Sequence, residues 1–110
     1  MEVEDLLEEA DQLFEQAEAM IVKEPGEGLK KFKIGVSNLL KVFLIIHEKA
    51  PAGELKQLFM ECCEIEPEFE TIRDELDYFY IPQLAESDSE LICDAANEVW
   101  DLVISLLPES

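Results

Sequence analysis

Apolar side chains recur every three or four positions along nearly the whole chain, and that spacing admits one kind of element. From Val3 to Lys23 they are Leu6, Leu7, Ala10, Leu13, Phe14, Ala17, Met20 and Ile21. An α-helix turns once per 3.6 residues, so these positions form one stripe with Glu and Gln opposite it. Acids crowd the first turns, where the helix dipole favours them. Pro25-Gly26 ends the segment, and Gly28 is expected to keep the connection flexible. A second helix is predicted from Leu29 to Lys49, on Leu29, Phe32, Val36, Leu39, Leu40, Phe43 and Ile46. Its stretch Val42–Ile46 is apolar all round, which predicts a central helix touched on several sides. Gly35 lies in its middle at a cost of roughly 1 kcal/mol, which close approach by a neighbouring helix would offset.

After the break Ala50-Pro51-Ala52-Gly53, a short third segment (54–64) turns Leu55, Leu58, Phe59 and Cys62 inward. Pro67 can open a fourth, because a missing N–H costs little in a first helical turn. Its inward stripe is Phe69, Ile72, Leu76 and Phe79, and Pro82 ends it. Ser87-Asp88-Ser89-Glu90 has the capping-box pattern and opens a fifth segment. That segment continues through Leu91, Ile92, Ala95, Ala96, Val99, Leu102, Val103 and Leu106 to Pro108. No strand alternation competes. The sequence therefore predicts an all-α, antiparallel bundle of about five helices: two long N-terminal ones, two shorter, one long C-terminal. With 110 residues and 48% hydrophobic content, the expectation is a single domain over 1–110.

The net charge of −19 disfavours bare nucleic acid and anionic membrane as partners. The charge is uneven. Residues 1–20 hold 8 acids and no base, 21–60 hold 7 lysines against 4 acids, and 61–110 hold 15 acids against Arg73. Two readings follow: a lysine-bearing second helix that offsets repulsion between acidic neighbours, or a local anion site inside an acidic shell. Three cysteines, Cys62, Cys63 and Cys93, form no C-x-x-C pair and no even framework. They read as small buried hydrophobes in a reducing, cytoplasmic setting. The acidic start, Met1-Glu2-Val3-Glu4-Asp5, is unlike a signal peptide, and no apolar run is long enough to span a bilayer.

Chemistry-bearing constellations are few. His47 is the sole histidine and reads as a partly solvated helix-end residue. No metal site, cofactor or catalytic set is expected. Gly26-Glu27-Gly28 lacks the strand and third glycine of a phosphate loop. Arg73, the sole arginine, can meet Asp77 at i+4 in a surface pair worth a few tenths of a kcal/mol.

The order of elements resembles the HEPN family of small prokaryotic helical proteins. The matching stretches are Leu6–Ala19, Lys31–Leu44, Gly53–Phe59, Arg73–Pro82 with its Tyr-x-Tyr-x-Pro ending, and Asp94–Pro108. The resemblance implies a homodimer-forming bundle that often partners a minimal nucleotidyltransferase. In many members it implies RNase chemistry through Arg-x4–6-His, often followed by x-Tyr. Carried onto this chain, Arg73 is the arginine, Tyr80 the trailing tyrosine, and Tyr78 stands where the histidine would be. A phenol with a pKa near 10 is a poor general base at neutral pH. The resemblance thus points to a non-catalytic binding or partner module. A nucleotide site would join Arg73, Tyr78 and Tyr80 with Lys30, Lys31 and Lys33, in a cluster that also holds Lys41. The alternatives are an RNase with an altered site and an unrelated helical interaction module.

Overall fold

Among the described residues there are five helices and two short 3-10 stretches: α1 (Val3–Met20), α2 (Pro25–Ile46), α3 (Leu55–Ile65), a turn over Pro67–Ile72, α4 (Arg73–Asp77), a turn over Tyr78–Tyr80, and α5 (Asp88–Leu106). The computed structural model describes residues 3–51, 53–80 and 88–107, and no strand occurs among them. Nor is any helix among them long and apolar enough to cross a membrane.

The stripe of α1 is buried at Leu6, Ala10, Phe14 and Ala17, with Leu7, Leu13 and Met20 half-buried at its margins. It lies against α2, and the pairing runs antiparallel. Gly28 faces Ile21, Lys31 reaches Gln16, and Gly35 faces Phe14 and Ala10, so numbers fall on one helix as they rise on the other. Gly35 is where the approach is tightest: a Cβ there would stand 2.5 Å from Phe14 Cε1. The expected offset for a mid-helix glycine is thus met by an aromatic ring lying against its bare backbone.

Helix α2 is the centre, touching α1, α3, α5 and the Tyr78–Tyr80 turn. Phe43 is buried, with its ring 4.8 Å from Phe69 and 4.4 Å from His47. Cys62 on α3 points its thiol at the Leu40 carbonyl, 3.7 Å away. From α5, Ile92, Ala95, Ala96, Val99 and Val103 complete one continuous core. The radius of gyration is 13.3 Å, against about 13 Å for a compact domain of this length.

Several local expectations are corrected. Pro25 does not merely break the chain. It begins α2 four residues before Leu29, where its absent N–H is harmless. Gly28 therefore lies inside that helix, buried and 2.8 Å (from a would-be Cβ) to the Ile21 backbone, rather than in a flexible link. At the other end α2 stops at Ile46, not Lys49. Glu48 adopts φ 61° there, while the Glu48 and Lys49 amides donate to the Ile45 and Leu44 carbonyls. This is a Schellman closure built without glycine. The fourth segment is not one helix but a 3-10, α, 3-10 succession, although Phe69, Ile72, Leu76 and Phe79 are all buried as expected. Leu91 is 43% exposed instead of inward, because the buried face of α5 is centred on Ile92, Ala95 and Val99. Pro82, Ser87 and Pro108, expected to mark boundaries, lie outside the described residues.

Candidate functional site

Half of the chain's eight basic residues meet around Tyr80: Lys33 and Lys41 from α2, Lys56 from α3 and Arg73 from α4. Local folding explains the convergence. The Tyr78–Tyr80 turn buries Phe79 fully, which leaves Tyr80 at the surface, 37% exposed, over the junction of α2 and α3. The Lys33 ammonium lies 4.5 Å and the Lys56 ammonium 4.6 Å from the centroid of its ring. Such contacts contribute about 0.5–1 kcal/mol each at exposed sites. Burial, with Glu54 nearby, raises the Tyr80 hydroxyl above its ordinary pKa, and the facing Lys56 backbone N–H opposes this. The phenol is therefore neutral at physiological pH.

Tyr80 and Leu55 border two grooves. The first, about 230 Å³, runs between α3 and α4, with Phe59, Met60 and Leu76 as apolar lining and Lys56, Arg73 and Asp77 as charged groups. The second, about 410 Å³, runs between α2 and the start of α3 and is lined by Lys33, Ser37, Asn38, Lys41 and Glu54 among others. Small-ligand sites typically occupy roughly 300–1,000 Å³. The first groove falls below that range and the second lies within it.

Asn38 is the one buried polar residue among the described residues, at 5% exposure. Its Nδ2 has no hydrogen-bond partner. An unmet buried amide N–H costs about 1–3 kcal/mol. Oε2 of Glu75 is likewise unpartnered, but Glu75 lines neither groove.

The predicted site residues divide. Arg73, Tyr80 and Lys33 are brought together at the cleft. Lys30 and Lys31 are not: Lys30 pairs with Glu27 at 3.6 Å, and Lys31 donates to Gln16 Oε1 at 3.0 Å on the α1 side. Tyr78 packs half-buried against the core and lines neither groove. The partner of Arg73 also differs from expectation. Its Nε and Nη2 both donate to Glu70 at 2.6 Å, one turn back, rather than to Asp77. The 3-10 turn places residue 70 directly under residue 73. That two-point hydrogen bond holds the Glu70 carboxyl below its usual range. The guanidinium also lies 5.3 Å from the centroid of the Phe59 ring. His47 is exposed at the α2 C-cap, as its sequence position implies.

Sequence reasoning missed Lys56 and Asn38. Lys56 joins the cluster only through the packing of α3 on α2, which no local pattern announces. Asn38 did leave a signal: an amide between Val36 and Leu39 on the helix with the most apolar surroundings. No cluster of His, Cys, Asp or Glu able to hold a metal occurs among the described residues. No family model, curated protein or solved structure matches the chain.

Proposed function

We propose that this chain is a non-catalytic, HEPN-like binding module that holds an anionic ligand of the nucleotide class in the cleft around Tyr80. The observation that carries the reading is the placement of Lys33 and Lys56 against the Tyr80 ring, with Lys41 and Arg73 lining the two grooves that ring borders, in a chain of net charge −19. Among the described residues none of the three lysines forms an ion pair. Their mutual repulsion is relieved by a bound anion. The apolar lining at Leu55, Phe59, Met60 and Leu76 suits a flat, weakly polar group beside that anion. The antiparallel pairing of α1 with α2 and the position of Arg73 at a cleft support the HEPN-like reading. The two-point engagement of Arg73 by Glu70 counts against RNA cleavage through Arg73 and leaves the ligand's charge to be met by the three lysines.

Exposed Ile34 and Met60 on the rims give an apolar edge for a macromolecular partner. A homodimer and a nucleotidyltransferase partner belong to the same proposal, as does a cytoplasmic location, which the three free cysteines favour. Titration of the folded chain with ATP, ADP and AMP by calorimetry tests the ligand. Saturable heat at sub-millimolar to millimolar nucleotide, lost in Tyr80→Ala, is the expected result. No heat at millimolar nucleotide overturns it. Light scattering reads the dimer directly.

A further inference from the structure

Asn38 is an unusual choice for its place. Its neighbours Val36, Leu39, Leu40 and Val42 are wholly buried apolar residues, and its Nδ2 donates to nothing. A side chain selected only for packing would be apolar here. An amide kept without a protein acceptor, beneath a groove that also carries two lysines, points to an acceptor that arrives from outside. The first turn of α3 borders the same groove at Glu54 and Leu55, and its cap is closed: the Glu54 N–H donates to Gln57 Oε1 at 3.1 Å and the Glu54 carboxylate accepts from the Gln57 backbone N–H, so the positive charge of the groove comes from Lys33 and Lys41. The Glu54 carboxylate on the rim opposes an anion, and Lys33 and Lys41 outnumber it.

From these groups we infer that the α2–α3 groove is a phosphoryl subsite. A turn about the last torsion of Asn38, a broad two-fold well, brings Nδ2 to a phosphoryl oxygen, with the Lys33 and Lys41 ammoniums flanking it. The ligand then crosses Tyr80, and its flat apolar part rests on Phe59 and Leu76 in the α3–α4 groove. The inference rests on the nucleotide reading above and deepens it by fixing which end of the ligand lies where.

Calorimetry on the full chain with inorganic pyrophosphate, ATP and adenosine tests the subsite, alongside the Asn38 side-chain amide signals in nitrogen–proton correlation spectra. Wild type should bind pyrophosphate and ATP with a shift of those signals. Asn38→Leu should keep its helical content and melt no lower, because it removes an unmet donor, yet lose about tenfold in affinity for both. Adenosine binding should not change. Lys41→Ala supplies the same affinity loss through a second residue should Asn38→Leu fail to fold. Undiminished pyrophosphate and ATP affinity in a folded Asn38→Leu, or in Lys41→Ala should Asn38→Leu not fold, overturns the subsite and leaves the nucleotide reading standing. Pyrophosphate binding without any ATP binding does the reverse. No binding of either removes both.

Discussion

At the scale of single residues, burial decides the chemistry of the thiols. Cys62 is pushed up to about 12 by burial, with Cys63 and Glu61 adding to it. Cys63 is pushed up to about 11 by burial and then by Glu70. A thiol must ionise to attack, so both should alkylate with iodoacetamide at pH 8 far more slowly than the same residues in urea, as mass spectrometry would read. Native-state labelling as fast as in urea would contradict this. The linkage has a definite sign. Each folded-state value lies above the ordinary thiol value of 9.0. The contribution to stability is therefore complete below pH 9 and is lost as pH rises toward 11 and 12. Glu48 is the other residue under strain. A side chain at φ 61° suffers the left-handed penalty of about 1–2 kcal/mol, and its carboxylate sits at the wrong end of the α2 dipole. Glu48→Gly should stabilise the protein by about 1 kcal/mol in a urea melt.

At the scale of elements, the three glycines of α2 separate propensity from packing. A Cβ at Gly26 meets nothing within 4 Å, so Gly26→Ala should gain a few tenths to about 1 kcal/mol from helix propensity. At Gly28 the same methyl lands 2.8 Å from the Ile21 Cα, which is backbone and cannot rotate away. Gly28→Ala should instead cost about 1–3 kcal/mol as α1 and α2 are forced apart. Equal melting points for the two variants would refute the close approach. The stripes that define all five helices were legible because burial imposes a 3.6-residue period. The reversal at Pro25, the split of the fourth segment and the outward turn of Leu91 were not. Each depends on which face a neighbour covers, and a period alone leaves that open. Ile72 and Arg73 look like one continuous helix in sequence. The change from 3-10 to α falls between them, with Phe69 and Leu76 buried in the core on either side.

At the scale of the whole molecule, charge dominates. A net of −19 on a body with a 13.3 Å radius of gyration stores self-repulsion. The screening length falls from about 30 Å at 0.01 M salt to about 3 Å at 1 M. The melting temperature should therefore rise between 10 mM and 0.5 M sodium chloride, and a flat or falling curve in calorimetric scans would refute the role of repulsion. The uneven charge along the chain was plain in sequence, but its convergence was not. Of the lysines singled out together, Lys33 turns to the cleft while Lys30 and Lys31 serve Glu27 and Gln16. Successive helical residues are turned about 100° apart, so neighbours in sequence serve different faces.

Trp100 lies on α5. It is the chain's single indole, stacked edge-on 6.1 Å from Phe14 across the seam between the first and last helices. It shares no lining residue with the cleft around Tyr80. Its emission is therefore a native optical gauge of whether the C-terminal helix is docked, one that should stay constant while a ligand is added and change only when the bundle comes apart.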